Sequence, residues 1–227
     1  MDTTAPPNQR LPARGVVQRL IEVVSSVRVS VIVALSGVAT TTFAILGILQ
    51  RTKYPRWDLA NLDSELSIAT YFSALLLWSG AAGWLLAALA TQPKAHSVWI
   101  WWLILAWLAL DEGAAIHERV ERWSGVDWQI LYLPILAIAA IAWRGVVRRY
   151  RDREHIGLLL VAGAIAWAAT LLLELIGHWG GEPATPIVYN TAMVAEEALE
   201  MAGSTLFIIA SVLTVRGAAR RATTIDG

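Results

Sequence analysis

Cysteine is absent from all 227 residues, which excludes disulfides, thiolate metal sites and cysteine nucleophiles. Charge is scarce at 16%, against about 25% in soluble proteins, and no polar stretch is long enough to bury the core of a soluble catalytic domain. The metal and hydrolase signatures His-Glu-x-x-His, His-x-x-x-His and Glu-x-x-His are all missing. There is no internal repeat, no low-complexity tract and no sign of a second domain. What remains is apolar: 56% hydrophobic residues, twelve Trp and a mean hydropathy of +0.54. Several stretches reach the 18–20 or so apolar residues that cross a bilayer. The expected fold class is all-α, a polytopic membrane helical bundle.

The hydrophobic pattern predicts six transmembrane spans, at about 29–49, 66–90, 97–117, 129–143, 156–178 and 187–215. The first resembles a signal peptide, but its apolar run is long and no small-x-small cleavage site follows, so it is read as an anchor. The fourth is the shortest, and Pro134 within it predicts a kink or an irregular start. Residues 1–13 are polar and Pro-containing, and disorder is expected there. From Arg14 to Arg28, Val16, Val17, Leu20, Val23, Val24 and Val27 recur at helical spacing opposite Gln18, Arg19 and Glu22, which predicts an amphipathic helix on the membrane surface. The division is therefore 1–28 as tail plus interfacial helix, 29–215 as the transmembrane domain, and 216–227 as a tail.

Arginine and lysine set the orientation. Thirteen of eighteen lie in the N-terminal segment, the second and fourth loops and the tail: Arg10, Arg14, Arg19, Arg28, Lys94, Arg144, Arg148, Arg149, Arg151, Arg153, Arg216, Arg220 and Arg221. By the positive-inside rule both termini are cytoplasmic. Acidic residues reverse the count, with thirteen of eighteen at or toward the opposite face. A multi-pass protein of the inner cell membrane, in contact with lipid and without a nucleic-acid partner, is expected.

Those acids carry the functional signal. Asp111, Glu112, His117 and Glu118 lie in the third span and its end, Glu174 and His178 in the fifth, and Glu196, Glu197 and Glu200 in the sixth. Each ionised group at the centre of a bilayer costs roughly 2.5–3.5 kcal/mol. Counting rise per residue from the cytoplasmic ends puts Asp111/Glu112 and Glu200 about 21–22 Å up and Glu174 about 27 Å up, a single layer in the extracytoplasmic half. Glu174 and His178 share a helix face at i,i+4, as do Glu196 and Glu200, and Glu197 reaches Glu200 at i,i+3. On a continuous helix Asp111 and Glu118 align at i,i+7, while His117 turns away from Glu112. Carboxylates with imidazoles on facing helices build metal sites in bundles, and without sulfur they suit Zn, Mn or Fe. A divalent metal is thus expected, with Glu174, His178, Glu197 and Glu200 as ligands and Glu112, Asp111 and His117 as further ligands or their supports. A metal-bound water beside a spare carboxylate can attack a lipid ester or amide. A proton or cation relay is the second reading of the same acids, and an accessory subunit with a buried carboxyl network the third; catalytic residues are not assigned.

Other residues have plainer readings. Asp63 suits the N-cap of the second helix and Glu65 its dipole. Glu118, Arg119, Glu121 and Arg122 read as a solvated face with weak ion pairs. His96 and His155 read as surface histidines. Trp57, Trp99, Trp123, Trp128, Trp143 and Trp179 fit an aromatic belt, Trp101, Trp102 and Trp107 fit packing, and Gly80, Gly83 and Gly203 fit close helix approach.

The run Leu62-Asp63-Ser64-Glu65, DEGAAIHE (111–118), ELIGH (174–178) and EEALEMAG (196–203) together resemble a family of uncharacterised bacterial multi-pass membrane proteins, over about residues 60–215. The resemblance implies an inner-membrane protein and carries no activity. Membrane hydrolases of the alkaline ceramidase and adiponectin-receptor type are similar in architecture alone, since this chain offers two suitably placed histidines where they hold zinc with three.

Overall fold

The computed structural model describes residues 12–54, 57, 59, 61–62, 67–91, 95–179 and 186–225, and the side chains of these from 15 to 175 and from 191 to 221. Among the described residues there are eight helices: α1 (Pro12–Ser26), α2 (Val29–Thr52), α3 (Ile68–Ala90), α4 (His96–Ala114), α5 (Ile116–Ser124), α6 (Trp128–Arg149), α7 (Glu154–Trp179) and α8 (Pro186–Ile225). Six of them, all but α1 and α5, are long and apolar enough to cross a membrane. By helix length and hydropathy the chain is a multi-pass membrane protein.

Helices α3 and α8 form the centre and are the most buried of the six. Their approach is set by small residues. A Cβ on Gly83 would collide with Ser211 of α8, whereas one on Gly80 would find only ordinary contacts at 3.7 and 3.9 Å. Trp84, fully buried, donates its indole N–H to the Phe207 carbonyl at 3.2 Å and ties the pair together. Helix α4 packs on α3, α7 and α2 on α8, and α6 on α4. The α7–α8 contact again rests on glycine: a Cβ on Gly203 would lie 2.6 Å from Trp167 Cδ1 and 3.0 Å from the Gly163 carbonyl oxygen. Helix α1 forms where the amphipathic pattern predicts it, and Arg216 holds its end by donating to the Ser25 and Val27 carbonyls at 3.0 and 2.6 Å. Its Ile21 is buried, while Val16, Leu20 and Val23 are exposed.

Four boundaries depart from the sequence expectation. The fourth span is no short segment: α6 starts on an Asp127 cap, whose carboxylate accepts from Gln129 N at 3.0 Å, and runs through Pro134 to Arg149. Helix α3 begins at Ile68 on Ser67, whose hydroxyl accepts from Thr70 N at 3.1 Å; Asp63 is therefore not its cap, and Asp63 and Glu65 lie outside the described residues. The third span ends at Ala114, because Ala115 is left-handed (φ 47°, ψ 49°) and the chain restarts as α5. Helix α8 starts at Pro186 as expected but continues past Val215 to Ile225.

Candidate site: an acid-lined cavity

The break at Ala115 builds the polar centre. On an unbroken helix Asp111 and His117 would point about 120° apart. With α4 ended and α5 restarted, the backbone N–H of His117 donates to Asp111 Oδ1 at 2.8 Å, and its ring Nδ1 lies 3.1 Å from Asp111 Oδ2. Tyr132 Oη, one turn into α6, donates to Asp111 Oδ1 at 2.7 Å. The carboxylate is buried, so three hydrogen bonds replace the water it has lost. With the imidazole proton on Nδ1, the ring donates to this carboxyl group as the backbone N–H does.

A second contact joins α6 to α7. Trp128 Nε1, in the first turn of α6, donates to Glu174 Oε1 at 2.8 Å. The Trp128 ring also packs against His117 at 5.1 Å between centroids and edge-on against Tyr132 at 5.4 Å. His117, Trp128, Tyr132 and Glu174 thus form one layer at the acidic end of the bundle, drawn from α5, α6 and α7.

Below that layer lies a cavity of about 430 Å³ between α4, α6, α7 and α8. Its acidic end is lined by Asp111, Glu112, Glu174, Glu196, Glu197 and Glu200, with His117; no Lys or Arg is among the described lining residues. Its deeper walls are aromatic and aliphatic: Trp101, Trp143, Trp167, Phe207, Leu136 and Leu171. A second, polar cavity of about 320 Å³ lies beyond the layer, among Glu118, Glu121, Arg122, Asp127 and Gln129. His117, Trp128 and Glu174 border both, so they form the partition between a polar vestibule and a largely apolar chamber.

Six of the seven expected ligand residues, Asp111, Glu112, His117, Glu174, Glu197 and Glu200, line this chamber. The side chain of His178 lies outside those described. Both Glu196 and Glu197 reach the chamber, and Glu197 also borders Thr40 and Phe43 of α2. Among the described residues, no three His, Asp or Glu side chains converge to hold a metal. Glu118 does not align with Asp111, because the helix between them is broken; it pairs with Arg122 at 3.6 Å on an exposed face, as the charge pattern predicts. His96 and His155 are exposed.

The aromatic residues are where sequence reasoning fell short. Trp128 and Trp143, read as belt residues, are built into the site: one binds Glu174, and the other lines the chamber and donates to the Leu160 carbonyl at 3.0 Å. Trp101 is buried as the packing reading expects, yet it too lines the chamber. Tyr132 went unremarked. The available signal was its spacing: Trp128, Tyr132, Leu136, Ala139 and Trp143 fall on one face of α6.

Residues 26–215 match the model of a domain of unknown function, DUF8692. The chain belongs to the DUF8692 family. No curated protein and no solved structure matches it. The DUF8692 match spans α2 and reaches through α8 to Val215, so every residue of the acid-lined chamber falls inside it.

Proposed function

We propose that this DUF8692 protein binds a membrane-soluble amphiphile in the chamber, with a cationic or hydrogen-bond-donating head at the carboxyl end and an apolar body along the aromatic walls. The carrying observation is that, among the described lining residues, six carboxyl side chains and one imidazole stand without lysine or arginine at one end of a cavity of about 430 Å³ whose remaining walls are largely apolar. Carboxylates held among membrane-crossing helices are costly to keep ionised unless a metal or a cationic ligand offsets them. Volume favours the ligand. The cavity falls within the roughly 300–1,000 Å³ range of small-molecule sites, far more room than a lone ion occupies. The basic loops support cytoplasmic termini and an extracytoplasmic chamber mouth in an inner membrane. A proton or cation relay is less well supported, since the acidic lining is confined to one end.

A divalent metal, Zn, Mn or Fe, is the second reading, favoured by one observation. Asp111 meets His117 at Nδ1 in the way that carboxylates orient metal-binding imidazoles, and His117 and Glu174 border the same two cavities. A metal there would make the site that of a metal-dependent enzyme acting on a lipid.

One preparation tests both. Protein purified into lipid nanodiscs is titrated with a long-chain primary amine and with the alcohol of equal chain length, after elemental analysis of the same sample. The amine is expected to bind at least about tenfold more tightly than the alcohol, and Glu196→Gln/Glu200→Gln to remove that preference. Equal binding of amine and alcohol by the wild type rejects the amphiphile reading. Near-stoichiometric metal that disappears in Glu174→Ala/Glu200→Ala supports the second reading, and metal-free, well-folded protein that takes up none on reconstitution rejects it.

A further inference from the structure

Helices α6 and α7 are consecutive, yet they touch sparingly between two fixed points. At the acidic end Trp128 Nε1 donates to Glu174 Oε1, and at the basic end Trp143 Nε1 donates to the Leu160 carbonyl. Fifteen residues separate the two tryptophans on α6 and fourteen separate Leu160 from Glu174 on α7. At helical rise these distances are about 22 and 21 Å, so the two strips run in step. Between the bonds, beside the larger Leu136, Trp167 and Leu171, stand Ala139 and Ala140 on α6 and Ala164 and Ala168 on α7, and all four alanines line the chamber. Ala140 and Ala168 are also exposed. A side chain without length beyond Cβ cannot bridge two helices, so the strip stays open while both ends are pinned.

We infer that the amphiphile enters the chamber sideways from the bilayer, its alkyl chain passing between α6 and α7 at Ala140 and Ala168. This inference rests on the chamber being a ligand site. The slot is roughly 20 Å long on two membrane-crossing helices, at depths where the surrounding medium is lipid chain. Only an apolar chain is already dissolved there. The head group follows to the carboxyl end, where the polar vestibule adjoins it through His117, Trp128 and Glu174. The two closing bonds differ in freedom. Trp143 is tied to a backbone carbonyl within α7, while Trp128 is tied to a side chain that can rotate away. The acidic end is therefore the one that yields as the head passes.

A long-chain primary amine with a photoreactive diazirine in its chain tests the route, in nanodiscs, with adducts mapped by peptide mass spectrometry. In the wild type, adducts are expected on chamber residues such as Leu136 and Leu171. In Ala140→Trp/Ala168→Trp their yield at short exposure should fall about tenfold, because slowed entry acts on the association rate. Ile141→Trp and Ile165→Trp, at positions 72% and 64% exposed and outside the chamber lining, should leave it unchanged. Ala140→Leu/Ala168→Leu, a smaller obstruction, should give an intermediate fall and serves if the Trp pair does not fold. Undiminished chamber adducts in the obstructed variants overturn the portal and leave the ligand site standing. Chamber adducts no more abundant in the wild type than in Glu196→Gln/Glu200→Gln overturn the ligand site, and the portal with it.

Discussion

Asp111 concentrates more of the site's geometry than any other side chain. It accepts from α5 twice and from α6 once, so it fixes the direction of His117 and the first turns of α6 together. The bond from Tyr132 is buried, where leaving its acceptor without that donor costs about 1–3 kcal/mol. Tyr132→Phe keeps the ring against Trp128 and removes only the donor. It should lower stability in detergent by about that amount, with little change in the α6 packing. Reversible chemical unfolding followed by Trp fluorescence measures this, and a midpoint identical to wild type would show that the bond contributes nothing. At this scale the sequence was half legible. Ionisable residues announce themselves in an apolar run because their cost there has to be offset, so Asp111, Glu174 and the Glu196–Glu200 group were visible. Their partners were not: a tryptophan at a span end has one appearance whether it faces lipid headgroups or, as Trp128 does, a carboxylate on the next helix.

Helix boundaries follow the same division between local and tertiary causes. Spans α2, α3, α4, α6, α7 and α8 were readable from hydrophobic length, which depends on the chain alone. The break at Ala115 was not, since the left-handed position itself is an alanine and the nearby Gly113 lies within α4. A left-handed alanine costs roughly 1–2 kcal/mol, and here the three bonds to Asp111 offset it. The glycines show how packing decides what composition leaves open. Gly80, Gly83 and Gly203 look alike in sequence, but only the last two sit where a methyl group has no room. Gly80→Ala should therefore stabilise the protein by up to about 1 kcal/mol, the helix propensity gained. Gly203→Ala, which presses on Trp167 and on the Gly163 backbone, should cost about 1–3 kcal/mol. Thermal unfolding of the two variants should shift in opposite directions, and shifts of the same sign would mean that α7 and α8 yield more readily than their backbone contact allows.

The whole molecule is polarised by charge. Arg144, Arg148, Arg149, Arg151 and Arg153 surround the α6–α7 turn, and Arg216, Arg220 and Arg221 lie on the last turns of α8 near the end of α1. The carboxyls of the chamber and vestibule sit at the other end. Within a membrane this asymmetry has a direction, because lysine and arginine in short loops stay on the cytoplasmic side during insertion. The acid-lined end should then face outward, which decides whether the vestibule meets the external medium or the cytoplasm. The absence of cysteine makes this directly measurable, since each introduced thiol is the single reactive one. Ser124→Cys at the exposed end of α5 and Arg151→Cys in the exposed α6–α7 turn mark the two ends without touching the chamber. A membrane-impermeant maleimide added to intact cells should label Ser124→Cys and should reach Arg151→Cys only after permeabilisation. The reverse pattern would turn the vestibule toward the cytoplasm. The chamber and its lateral slot would remain as they are, but the head group would then meet cytoplasmic water, and the ligand would have to be sought among amphiphiles made or consumed on that side.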